Sequence, residues 1–151
     1  MTSHAESVDR VAFRATVHCL TGCAIGEVLG MVIGTALDWS NGATIAISIV
    51  LAFAFGYTLT SLPLLRSGMA VGSVVPIALA SDTISITIME IVDNAVIFFI
   101  PGALDATLGD IGFWAVLAAA LLIAGAAAFP ANRWLLARGK GHAVVHQYHH
   151  H

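Results

Sequence analysis

His18-Cys19-Leu20-Thr21-Gly22-Cys23-Ala24-Ile25-Gly26-Glu27-Val28-Leu29-Gly30-Met31-Val32-Ile33-Gly34 decides how this chain is read. At about 100° per residue, Cys19, Cys23, Glu27 and Met31 step four at a time along one slowly drifting line of a helix. Gly22, Gly26, Gly30 and Gly34 run beside them. Consecutive G-x-x-x-G spacings leave a groove free of side chains, into which another helix can settle. One stripe is therefore expected to pack, while its neighbour carries two thiols, a thioether and a carboxylate.

The composition around that stretch belongs to a membrane. Of 151 residues 58% are hydrophobic and only 10% charged, with a mean hydropathy of +0.90, far from the make-up of a soluble domain. Four apolar stretches separate, at 17–37, 43–65, 71–100 and 111–129, each reaching the roughly 20 residues that a bilayer demands. The expected fold is all-α, a single polytopic membrane domain built as a bundle of four transmembrane helices. Residues 1–16 form an N-terminal lead-in without the apolar region of a removable signal, and residues 130–151 form a histidine-containing tail. Asp38-Trp39-Ser40-Asn41-Gly42, Arg66-Ser67-Gly68 and Pro101-Gly102 punctuate the spans.

Charge distribution orients the bundle. Arg10, Arg14, Arg66, Arg133, Arg138 and Lys140 all fall on one side, and the opposite loops hold Asp38, Asp105 and Asp110. The positive-inside rule then places both termini in the cytoplasm, with Trp39 and Trp114 at the outer interface and Trp134 at the inner one. Six scattered basic residues make no nucleic-acid surface.

Helix 2, bent at Pro63, and the alanine-rich helix 4 read as scaffold. The third stretch differs, because Ser81-Asp82-Thr83-Ile84-Ser85-Ile86-Thr87-Ile88-Met89-Glu90-Ile91-Val92-Asp93-Asn94 sets three carboxylates in an apolar span. On a helical wheel Asp82, Met89 and Asp93 nearly coincide, with Glu90 about 80° round from them. Pro76 leaves the start of this helix open.

No span contains a Lys or Arg to answer Glu27, Asp82, Glu90 and Asp93. An unpaired charge at the bilayer centre costs about 2.5 to 3.5 kcal/mol on insertion scales. A homo-oligomer cannot supply the missing partners, since every copy lacks them. Protons, a wet cavity or bound cations must do so. The alternative is protonated acids hydrogen-bonded to Ser85, Thr87, Asn94 or backbone carbonyls as glue between helices.

Oxygen donors alone suit Mg, Ca or Mn, whereas imidazole, thiolate and thioether shift the preference toward iron, zinc or copper. The expected metal ligands are His18, Cys19, Cys23, Glu27, Met31, Asp82, Met89, Glu90 and Asp93, holding a transition-metal ion. Oxygen ligands are expected toward the outer side and softer ligands toward the cytoplasm. His142 and His146 in the tail can gather metal at the mouth; His149, His150 and His151 have the form of a purification remnant and are set aside.

The motif His18-Cys19-Leu20-Thr21-Gly22-Cys23, continued by Gly26-Glu27, by Asp82 and by Met89-Glu90-Ile91-Val92-Asp93-Asn94, resembles a prokaryotic family of small four-helix membrane proteins catalogued as a domain of unknown function. The likeness runs from helix 1 to about Arg138-Gly139-Lys140-Gly141-His142. It implies the four-helix fold and brings no activity with it.

Three functions compete at this level. The first is a transporter or channel for a transition-metal cation, its carboxylates replacing hydration oxygens and His18, Cys19 and Cys23 acting as an inner relay. Copies would assemble through the Gly22/Gly26/Gly30/Gly34 face, because four helices are few for a pathway. A carboxylate-bridged metal redox enzyme is the second. A structural subunit with protonated acids is the third.

Overall fold

The computed structural model describes residues 2–103 and 107–137, with side chains from residue 8 onward. Four helices follow one another: α1 (Thr2–Ala36), α2 (Asn41–Arg66), α3 (Val71–Phe99) and α4 (Ile111–Ala137). All four are long and apolar enough to cross a membrane. The expected all-α four-helix bundle is therefore what the chain forms.

The boundaries differ in two places. The expected lead-in is not a separate segment, since α1 runs unbroken from Thr2 into the span. Nor does α4 stop at Phe129. It passes Pro130 and continues to Ala137, burying Asn132, Leu135 and Leu136 at i, i+3 and i+4. The helix likewise continues through Pro76 in α3 and Pro63 in α2, as membrane helices tolerate when neighbours and hydroxyls satisfy the freed carbonyls. Asp105, Arg138, Lys140, His142 and His146 lie outside the described residues.

Both tight connections end in the same way. Asp38 takes the left-handed conformation (φ 56°) while the Trp39 and Asp38 amides bond back to the Gly34 and Thr35 carbonyls at 2.8 and 3.3 Å. Gly68 does the same after α2, with Met69 bonding to Leu64 and Gly68 to Leu65 at 3.2 and 3.1 Å. These are Schellman closures, which satisfy orphan carbonyls and turn the chain at once. Ser40 then caps α2 by accepting from the Ala43 amide at 3.2 Å. Consecutive helices consequently run antiparallel. The ends of the bundle are called here the basic end, toward which Arg10, Arg14, Arg66 and Arg133 lie, and the far end, with the α1–α2 and α3–α4 connections.

The glycine stripe packs closely against a neighbouring helix, but within one chain. Gly22, Gly26, Gly30 and Gly34 face Gly56, Ala52, Ser48 and Thr44 of α2. A Cβ at Gly22 would stand 2.8 Å from the Gly56 Cα, and one at Gly26 would strike the Ala52 backbone. Four-residue steps down α1 match four-residue steps up α2, as an antiparallel pair requires. The expected assembly of copies through this face is thus corrected: α2 fills it. Small residues drive such contacts because they let backbones approach where lipid offers no hydrophobic force.

Among the described residues every pair of helices meets except α2 with α4. The cross-section is a rhombus with α1 and α3 on its short diagonal. Its core joins Cys19 and Cys23 of α1, Ala52 of α2, Ile86 and Met89 of α3, and Ala124 and Ala128 of α4. Phe13, Ile25, Val50, Ile91, Phe98 and Leu122 point outward, as a lipid-facing surface does. At the basic end Asn132 Nδ2 donates to Thr16 Oγ1 at 2.9 Å, both residues buried, and Arg133 pairs with Asp9. Thr16→Val is expected to destabilise the bundle by about 1 kcal/mol, the scale of interhelical hydrogen bonds in membranes. A double-mutant cycle with Asn132→Leu, read by unfolding in mixed micelles, checks it.

Candidate functional site

The side chains singled out on α1 and α3 meet along the short diagonal. They are stacked by level, because both helices run from the basic end to the far end and gain about 1.5 Å per residue.

Nearest the basic end, His18 Nε2 lies 3.0 Å from Thr60 Oγ1 of α2. Thr60 is also a hydrogen-bond partner of Asp82. Asp82 Oδ1 accepts from Ser81 Oγ at 3.1 Å and from the Cys19 thiol at 3.7 Å. Ser85 sits against Cys19 as well. Imidazole, hydroxyls, carboxylate and thiol thus form one connected group from three helices.

One turn farther along lies a sulfur level. Cys23 Sγ is 3.9 Å from Met89 Sδ, and both cysteines are reduced and buried. Glu90 stands beside Cys23. Asn94 Nδ2 reaches the Glu90 Oε2 at 3.4 Å and its backbone carbonyl at 2.8 Å, while Oε1 receives no donor.

The next level holds two acids face to face. Glu27 of α1 and Asp93 of α3 place their carboxyl groups within hydrogen-bonding range of each other, with Glu27 3% and Asp93 1% exposed. Apart from the facing acid itself, no N–H or O–H among the described residues reaches either oxygen of Asp93 or Oε2 of Glu27. Buried polar atoms are almost always satisfied, and two facing carboxylates repel unless a proton or a cation lies between them.

Above this pair a cavity of about 360 Å³ extends toward the far end. Glu27 and Met31 line its depth, and Asp38, Trp39, Asn41 and Thr107 line its outer part. Ser48, Thr44 and Asn94 add polar walls.

All nine expected ligands therefore lie on or beside one seam, and Glu90, 80° off the acidic line on the wheel, turns inward with the rest. Their order differs from the expected one. Asp82 is level with Cys19, so oxygen donors flank the sulfurs on both sides instead of lying only beyond them. Nor do the ligands form a cage: among the described residues no three or more His, Cys, Asp or Glu side chains gather closely enough to hold a metal ion. They are strung along the seam in successive small groups.

Sequence reasoning missed Thr60 and Asn132. Thr44, Ser48, Ala52, Gly56 and Thr60 repeat at intervals of four in α2, and that spacing was the available signal for Thr60. Asn132 carried a similar one, as a lone amide among the apolar residues of α4.

A family model described as Domain of unknown function (DUF4396) matches residues 10–141. The chain belongs to this family. The matched region holds all four spans and every residue of the seam, so the arrangement lies inside the family's own domain. No curated protein and no solved structure matches the chain.

Proposed function

We propose that this protein moves a transition-metal cation, copper-, iron- or zinc-like, across the prokaryotic cytoplasmic membrane, exchanging it with protons at intramembrane carboxylates. The facing Glu27 and Asp93 carry this reading. Two acids buried against each other with no outside donor need a positive guest, and one of them, Glu27, lines a cavity that extends toward the far end. A cation arriving there finds oxygen ligands in place of lost hydration, and a proton takes its place when it leaves.

The strung-out donors support movement over storage. Conduction needs sites favourable enough to enter and weak enough to leave, several in succession. Glu27 with Asp93, then Glu90 with Cys23 and Met89, then Asp82 with Cys19, and finally His18 provide such a series within a single chain. The basic end is assigned to the cytoplasm by the arginines gathered there.

A carboxylate-bridged redox centre would need acids and histidines from facing helices around one point. His18 instead lies nine residues from Glu27 on α1, or about 13 Å along the axis.

Flux measured in proteoliposomes tests the proposal, with Cu(I), Zn(II), Fe(II) and Mn(II) offered separately to protein freed of its terminal histidines. Saturable movement of at least one transition metal, accompanied by a pH change of the lumen, is expected. Absence of flux for all four, with no metal retained in elemental analysis, would overturn it in favour of a structural role.

A further inference from the structure

The sulfur level is a place of its own on the seam. Cys19, Cys23, Met89, Ile86, Ala52, Ala124 and Ala128 are all 1% exposed or less, so this layer is dry and sealed by all four helices. Carboxylates stand on either side of it along the axis: Glu27 and Asp93 toward the cavity, Asp82 toward the basic end. An ion travelling between those acids must pass Cys23 and Met89.

Ligand chemistry at that point is narrow. It offers a thiol sulfur and a thioether sulfur 3.9 Å apart, with the Glu90 carboxyl beside the thiol and the second thiol one turn below on the same face of α1. There is no imidazole at this level, since His18 is at Thr60. Zinc takes four ligands in a tetrahedron and manganese prefers oxygen, whereas thiolate with thioether selects Cu(I). Charge points the same way. With Glu90 protonated, one thiolate and one neutral thioether balance a monovalent ion, while a divalent ion would leave a net positive charge in a dry core, which is strongly unfavourable.

We infer that Cys23 and Met89, with Cys19 as the next donor, form a selective site for a soft monovalent cation of the Cu(I) class. The inference rests on the transport reading for its place in a pathway and narrows its substrate. When the ion binds, the Cys23 S–H bond breaks and a sulfur–metal bond forms. The displaced proton passes to the Glu90 carboxyl group beside the thiol, which releases its own proton toward the cavity as it takes this one. One cation thus replaces one proton, and the balance closes without any oxidant or reductant.

Ag(I) is the probe, being redox-inert and of the same ligand preference, used in chloride-free buffer with the full chain in lipid nanodiscs and in proteoliposomes. Elemental analysis after desalting is expected to show one Ag(I) retained per chain, and proteoliposome flux of Ag(I) about tenfold above that of Zn(II) or Mn(II). Cys23→Ser is expected to abolish retention. Met89→Leu, which preserves core volume and so the fold, is expected to weaken retention about tenfold. Retention of Ag(I) unchanged by both substitutions, or flux favouring Mn(II) or Zn(II), would overturn the inference. Retention lost in Cys23→Ser but no flux of any metal would leave the site standing and overturn the transport reading alone.

Discussion

A chain carrying Asp93→Asn is expected to lose cation flux by about a hundredfold or more, because the facing pair loses the charge that holds a cation between its oxygens. It should also melt higher. In the unaltered chain neither Asp93 oxygen nor Glu27 Oε2 receives a hydrogen bond from any group but the facing acid, so the pair depends on a shared proton or a cation. The Asn amide supplies an N–H where one is missing, aimed at the Glu27 carboxyl across the seam, and it carries no charge to be desolvated. For a chain of this length each kcal/mol regained raises the melting temperature by about 2–4 °C. Loss of activity with gain of stability is the mark of residues kept for what they do and not for what they hold together. Proteoliposome flux and thermal melting followed by tryptophan fluorescence measure the two sides. Intact flux, or a variant that melts markedly lower, would mean that the pair is structural. Glu27→Gln should behave in the same way from the other helix.

Gly26→Ala is expected to be the most damaging single methyl group in the molecule. Its Cβ would fall on the backbone nitrogen and Cα of Ala52, and neither can swing aside as a side chain might. The whole α1–α2 contact must part, breaking the fit at Gly22 and Gly30 on either side. Overpacking of this kind costs about 1–3 kcal/mol where side chains can adjust, and sits at or above the upper limit where they cannot. Glu27 follows Gly26 directly, so the shift also draws the acid away from Asp93. Gly42→Ala and Gly112→Ala serve as controls, because an added Cβ meets nothing within 4 Å at either position. Unfolding in denaturing mixed micelles should rank Gly26→Ala well below both, and equal stability of the three would show that the hairpin is looser than drawn.

The fold was largely legible because membrane helices announce themselves by length and apolarity, and because the basic residues collect toward one end. The acids and sulfurs of the seam were legible for a related reason: polar groups in an apolar run have few places to go except inward. What the pattern did not contain was which helix answers the glycine stripe. G-x-x-x-G describes one half of a contact, and a second copy satisfies it as well as a neighbour does. The other half lay in Thr44, Ser48, Ala52 and Gly56, whose spacing is plain only once α2 is set antiparallel to α1. Register along the seam was hidden too. Pairing Cys19 with Asp82 and Glu27 with Asp93 depends on where α3 starts, and Pro76 made that start ambiguous until the helix was seen to begin at Val71.

The two ends of the seam are unequal, and that has an electrical meaning. Above Glu27 lies an open hollow, while below it Cys19, Cys23, Met89, Ala52 and Ile86 are packed at 1% exposure or less. If solvent fills the hollow, the membrane potential does not fall evenly over the roughly 30 Å of hydrocarbon. Most of it falls across the dry 13 Å or so between residues 27 and 18. A monovalent ion crossing that interval would feel nearly the full drive of about 2.3 kcal/mol per 100 mV, so the voltage of the cell would act chiefly on the passage through the sulfurs and hardly at all on entry.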